Sequence, residues 1–253
     1  LHSVMFEVAL CIGTYILVLW MEFAPTMLEK FKADELKARL NRVIFVFIAL
    51  GVLLPTMHQS SLGTMMLMAG HKLSPLWWSG FLPLLFLITA VVIGYAAVIF
   101  ESLVSSIAFK RPLEMHLLSK ISAFMPWMLG LYLVVRIEDV NLRGYLPLAF
   151  DGKFLGNMFL LENLLLLVAL LILAYPANRQ SPRLLFIAAC AMLMGGSMYR
   201  FNTYIVGFDP GTGWRYFPSV PELLITFGIV AAEVMVYLWF VKTLPVLPRL
   251  KKA

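Results

Sequence analysis

Residues 81–100 read FLPLLFLITAVVIGYAAVIF, twenty consecutive positions without a charged side chain. At about 1.5 Å per helical residue, such a run is roughly 30 Å long, the depth of a bilayer's hydrocarbon core. Inside hydrocarbon every backbone N–H and C=O must bond within its own segment, so this stretch reads as a membrane-spanning helix. Barrel strands would be shorter and would alternate polar with apolar residues. Working outward, the span covers about 80–103, and six further runs have the same character: about 3–23, 42–62, 119–137, 155–175, 184–204 and 221–242. The expected fold class is therefore an all-α integral membrane protein, a single transmembrane domain over 1–253 built as a bundle of about seven helices.

Composition agrees with that class. Of the 253 residues 61% are apolar and 13% charged, against roughly 25% charged in a soluble domain. The formal net charge of +6 does not point to a nucleic-acid partner, because the basic residues sit in short loops between apolar runs. Cys11 and Cys190 both lie inside apolar runs, and the chain has no CxxC and no Cys/His cluster. That pattern holds neither zinc nor an iron–sulfur cluster. Leu1 opens directly into an apolar stretch with no charged leader. This is not a signal peptide, and an N-terminal part is expected to precede it.

Short cytoplasmic loops are enriched in Lys and Arg. The first loop holds Lys30, Lys32, Lys37, Arg39 and Arg42, the third Lys110, Arg111 and Lys120, the fifth Arg179 and Arg183, and the tail Lys242, Arg249, Lys251 and Lys252. The alternate loops hold Lys72, Arg143, Lys153, Arg200 and Arg215, with Arg136 at a boundary. Fourteen against six places Leu1 on the outer, periplasmic side of a bacterial inner membrane and Ala253 in the cytoplasm. The outward loops are rich in aromatic residues, Gly and Pro, as in 61–78 and 207–222. Trp77, Trp78, Trp214 and Tyr216 suit either an interfacial aromatic belt or a surface that docks a partner subunit.

Ionisable groups in hydrocarbon are costly and invite a functional reading. Glu7 lies about two turns into the first span, Glu101 directly after the quoted run near the inner face, Glu162 in the outer third of the fifth span, and Glu233 midway along the last. They either lock helices together or, as desolvated acids able to give and take a proton, form steps of a proton path. Glu7, Glu101 and Glu233 are the candidates for proton transfer. A second constellation is PTMHQSSLG, 55–63. Pro55 should kink or end the helix, leaving His58, Gln59, Ser60 and Ser61 as a polar pocket near the outer face, with His2 and Glu7 at a similar level. A histidine there is either a satisfied helix-end residue or a group that bonds a quinone carbonyl and passes protons. Arg200 and Asn202, in GSMYRFNTY, either snorkel to headgroups or join that pocket, with Arg200 neutralising Glu7 or Glu222 or polarising a quinone oxygen. A b-type haem needs two facing axial histidines. Of His2, His58, His71 and His116, only the first two could pair, and both lie at the rim, so no haem is expected.

Read together, SVMFE (3–7), MEFAP (21–25), LPTMHQSSLG (54–63), VIFES (98–102), FDPGTGWRYFP (208–218), PELLI (221–225) and LPVLP (244–248) resemble the NrfD-like membrane subunits of the polysulfide-reductase and nitrite-reductase type. Within that family the chain most resembles the membrane (so-called b-type cytochrome) subunits of periplasm-facing nickel–iron hydrogenases. The resemblance runs over nearly the whole chain. It implies an eight- to ten-helix fold of which roughly three N-terminal helices are missing here, without haem or iron–sulfur cluster. It also implies electron exchange with an outward-facing ferredoxin-like iron–sulfur subunit, through it a catalytic subunit, and reaction with a membrane quinone (menaquinone or ubiquinone). By matching position, Glu7 and Glu101 correspond to proton-handling carboxylates and His58 to a quinone-pocket histidine. His2 has no assured counterpart. Two other readings stay open: a proton-coupled secondary transporter, whose site would lie near the midplane, and a passive membrane anchor.

Overall fold

The structure, a computed structural model, describes residues 4–211 and 216–245. Among these, seven helices are long and apolar enough to cross a membrane. The helices are α1 (Val4–Lys30), α2 (Asp34–Asn41), α3 (Ile44–Met68), α4 (Leu82–Ala108), α5 (Met115–Ser122), α6 (Met125–Leu142), α7 (Phe154–Ala174), α8 (Pro182–Phe201) and α9 (Val220–Thr243). The short α5 continues into α6 as one crossing, Met115–Leu142, and a π turn, Asn202–Val206, extends α8. Four crossings run well past the expected spans, to Lys30, Met68, Ala108 and Leu142.

Proline marks where several helices begin. Pro83, Pro126, Pro182 and Pro221 stand in the first two positions of α4, α6, α8 and α9, where the missing N–H is no loss. Of the two outcomes expected at Pro55, a kink or an end, the structure excludes the end. α3 does not end there but continues through it to Met68. Ending a helix inside hydrocarbon would strand several backbone groups, whereas a proline within it removes one bond.

Contacts group the chain into two compact units. One comprises, among the described residues, Phe6–Pro55 and 216–245. Within it Phe23 of α1 stacks on Phe240 of α9 with ring centroids 5.1 Å apart, and Lys37 of α2 pairs with Glu29 at 2.7 Å. The start of α9 is closed by Glu222, whose carboxylate accepts from the Ser219 backbone N–H at 2.6 Å and its hydroxyl at 2.8 Å.

The second unit, Thr56–Arg215, holds the last turns of α3 together with α4 to α8. Its core contains Leu85, Phe86 and Val92 of α4, Leu129 and Tyr132 of α6, Phe159 and Leu166 of α7, and Met192 and Tyr199 of α8. α8 packs against both α7 and α4, and two adjacent glycines make room for this. A Cβ on Gly195 would lie 2.9 Å from Leu166 Cγ and 3.1 Å from the Glu162 carbonyl oxygen, and one on Gly196 would lie 2.6 Å from Ile93. Such small residues let backbones approach in a medium that provides no hydrophobic drive between helices.

Candidate functional site

The polar groups of the second unit gather around Glu162. This residue lies on α7 with its side chain fully buried, and its carboxylate collects donors from three other elements. Arg136 of α6, also fully buried, places Nη2 3.2 Å from Oε1. Trp77 Nε1 donates to both oxygens at 3.1 Å. Asn202 Nδ2 donates to Oε2 at 2.6 Å. The carboxylate is therefore bonded as a low-dielectric interior demands, since an unpaired charge there would cost several kcal/mol.

Each donor is positioned by local structure. Trp77 sits in the connection to α4, which is tied to the segment after the π turn by Ser74 N–H to Gly207 O and Asp209 N–H to Lys72 O, both 2.7 Å. Gly207 is required by close approach, because a Cβ there would lie 2.6 Å from the indole ring. Asn202 opens the π turn, a local widening that recurs at functional positions in helices. Arg136 is held over aromatic faces, with Cζ 4.9 Å from the centroid of Phe159 and 5.2 Å from that of Tyr199. Tyr132 stands one turn before Arg136, its ring 5.6 Å from Tyr199. Arg136 Nε and Nη1 and the hydroxyls of Tyr132 and Tyr199 are buried without a hydrogen-bond partner.

A second cluster adjoins the first along α8. Arg200, half-buried, donates from Nη2 to Gln59 Oε1 at 2.7 Å and to the Phe86 carbonyl at 3.4 Å, and from Nη1 to Thr89 Oγ1 at 3.2 Å. Its guanidinium lies 5.4 Å over the Phe86 ring, and that ring packs on Tyr199 at 5.3 Å. Tyr204 donates to the Leu62 carbonyl at 3.1 Å and so fastens the π turn to α3. One residue before Gln59, half-buried His58 keeps Nδ1 buried and without a partner.

The structure thus brings Gln59 and Arg200 together and separates Arg200 from Asn202, which bonds Glu162 instead. Arg200 pairs with the neutral acceptors Gln59, Thr89 and the Phe86 carbonyl. Ser60 is half-buried, its carbonyl accepting from Thr64. Glu101 is exposed on α4, Glu7 lies exposed in the first turn of α1, and Glu233 is exposed on α9. His2 and Trp214 lie outside the described residues. Trp77 is not a belt residue: it is fully buried, because its indole N–H serves the carboxylate. Among the described residues no three His, Cys, Asp or Glu side chains come together to hold a metal. Reading from the sequence left Arg136 at a boundary and Glu162 outside the candidate proton donors, and it passed over Tyr132 and Tyr199. The available signal was one buried charge of each sign on consecutive spans.

The polysulphide reductase family, NrfD, matches residues 2–208. A protein of Escherichia coli (strain K12) described as "Probable Ni/Fe-hydrogenase 2 b-type cytochrome subunit" is 42% identical over 254 residues, 99% of this chain and 65% of that protein. From Nitratidesulfovibrio vulgaris (strain Hildenborough), a "Menaquinone reductase, integral membrane subunit" is 27% identical over 281 residues, 98% of this chain and 66% of that protein. The chain spans about two-thirds, 65%, of the length of the first of these relatives. No solved structure matches the chain. The chain belongs to the NrfD, or polysulphide reductase, family.

Proposed function

We propose that the chain is the quinone-reactive part of a respiratory oxidoreductase, most simply a nickel–iron hydrogenase complex. In this reading the quinone head binds beside His58, Gln59, Ser60 and Arg200, with His2 as a further candidate, while Asn202 serves Glu162. The observation that carries the reading is the Arg200–Gln59 contact of 2.7 Å between a half-buried guanidinium and α3, next to the unpartnered Nδ1 of His58. The residues fit the head group on two counts. A half-buried guanidinium is a donor and positive charge suited to a carbonyl oxygen, and His58 Nδ1 is a buried polar atom that lacks a bond. The flanking rings of Phe86 and Tyr204, 5.9 Å apart, supply an apolar wall.

A bound quinone supplies a two-electron, two-proton acceptor that becomes quinol. The electrons come from oxidation of hydrogen to two protons at a catalytic subunit and arrive through an outward-facing ferredoxin-like iron–sulfur subunit. His58 exchanges a proton at Nδ1 with the head group, and Arg200 stabilises negative charge on it. Glu7, Glu101 and Glu233 remain candidates for proton delivery from the cytoplasmic side of the inner membrane. The descriptions of the two relatives, one a hydrogenase subunit and one a menaquinone reductase subunit, support this class of chemistry. The buried Arg136–Glu162 pair favours a second reading, a proton-coupled transporter, because charges held well inside a bundle are typical of such sites.

The test is hydrogen-dependent reduction of a quinone analogue by membranes carrying the full complex, with a soluble dye as parallel acceptor. His58→Ala, Glu7→Gln and Glu101→Gln should lower quinone reduction about tenfold or more while dye reduction persists. If all three leave quinone reduction intact, the residues are structural and the chain is a passive anchor. Proton-linked solute uptake without a redox partner would establish the transporter.

A further inference from the structure

We infer that a lateral groove on α6 binds an anionic glycerophospholipid, with the lipid phosphate held by Arg179. The groove, about 660 Å3, is lined by Trp127, Gly130, Leu131 and Val134 of α6, Ala174 of α7, and Arg179. The lining positions recur every three to four residues, which puts them on one face of the helix. From Ala123 to Val134 they cover about 16 Å, the depth of one leaflet of a roughly 30 Å core. Trp127, Leu131 and Val134 are exposed at 78%, 45% and 61%, an apolar stripe with the length of an acyl chain.

Arg179 closes one end of the stripe. It sits in the turn Asn178–Gln180 between α7 and α8, half-buried, with Nε buried. Among the described residues it has no hydrogen-bond or ion-pair partner. A guanidinium so placed calls for an anion. Among the described residues no carboxylate answers it: 115–137 and 163–208 contain no Asp or Glu, Glu114 just before α5 forms no ion pair with it, and Lys120 and Arg183 add positive charge. Phosphate oxygens match the planar fork of arginine. A quinone head carries no charge to answer Arg179. The candidate quinone pocket is also remote, since Arg200 lies eighteen residues beyond Pro182 on α8, about 27 Å along the helix. The groove therefore opens at the other membrane surface, the leaflet to which the basic loops assign the cytoplasm and in which anionic lipid is enriched.

The experiment is a lipid titration of the delipidated full complex, with bound phosphatidylglycerol and phosphatidylcholine counted by native mass spectrometry. The native complex should retain one phosphatidylglycerol in preference to phosphatidylcholine. Arg179→Gln should weaken phosphatidylglycerol retention about fivefold, the factor expected of one basic residue at a membrane surface, and leave phosphatidylcholine unchanged. Gly130→Leu should abolish retention by filling the groove without touching the core, since an added Cβ at Gly130 meets nothing within 4 Å. Equal retention by the native complex, Arg179→Gln and Gly130→Leu overturns the inference. So does retention of a quinone in place of the phospholipid. Should Arg179→Gln fail to assemble, unchanged retention by Gly130→Leu is by itself sufficient to overturn it.

Discussion

Removing either member of the Arg136–Glu162 pair should cost far more than removing both together. The structure sets the magnitude. Oε1 of Glu162 accepts from Arg136 and Trp77, and Oε2 from Asn202 and Trp77. In Glu162→Gln, whichever way the amide turns, its NH2 group meets a donor. Each charge-assisted bond lost is worth about 1.5–3 kcal/mol, and Arg136 is left buried without a counter-charge. The expected cost is about 3–5 kcal/mol, and Arg136→Met should cost about the same by orphaning the carboxylate. Independent effects would sum to about 6–10 kcal/mol. The double variant, in which no buried charge is left, should instead cost no more than either single change, a coupling of about 3 kcal/mol or more. The assay is SDS-driven unfolding of the full-length protein in mixed lipid–detergent micelles, followed by loss of helicity for the four members of the cycle. A coupling below about 1 kcal/mol, the level of ordinary hydrogen bonds between membrane helices, would refute the claim that these are mutually dependent, fully desolvated charges.

Two further outcomes follow from the same packing and use the same unfolding assay. Trp77→Phe keeps an aromatic ring beside Phe159, which it meets edge-on at 6.2 Å, but removes the N–H that Glu162 accepts. It should destabilise by about 1.5–3 kcal/mol, and a neutral result would mean that the indole bond is dispensable. Gly195→Ala presses a methyl toward Leu166 and the Glu162 carbonyl and should cost about 1–3 kcal/mol, whereas Gly94→Ala, with nothing within 4 Å of the added atom, should be neutral or slightly stabilising.

Membrane insertion is a local property, and for that reason it was legible. Whether the run 81–100 leaves water depends on its own side chains and its own backbone bonds, summed over twenty neighbours in sequence. The same holds for the other six crossings, the proline-marked helix starts and the family motifs. At Pro55 local rules left two outcomes, a kink or an end, and the surroundings exclude the second. In water a proline is a common place for a helix to stop, but in hydrocarbon the cost of stranded backbone groups carries α3 through to Met68.

Which polar side chains meet is a different kind of quantity, because it depends on how each helix is rotated and how closely it approaches its neighbours. Glu162 and Arg136 are 26 residues apart, Glu162 and Trp77 are 85 apart, and Arg200 and Gln59 are 141 apart. Nothing local distinguishes Glu162, which collects five bonds in the core, from Glu101, which is exposed on α4. Both are single acids in apolar runs. Likewise Trp77 and Trp78 are neighbours, yet one is fully buried beneath Gly207 and the other is half-buried with Arg143 5.7 Å over its ring. The sequence alone determined that the described residues hold seven helices long and apolar enough to cross a membrane, because transfer into hydrocarbon is decided segment by segment, and its motifs carried the resemblance to the NrfD class. Only the tertiary structure decided that Arg136, Glu162, Trp77 and Asn202 form one buried cluster and that Arg200 turns to Gln59. The Asn202–Glu162 contact depends on the setting of α8 against α7, where Gly195 lets the helices approach, and the Arg136–Glu162 pair on the setting of α6 against α7.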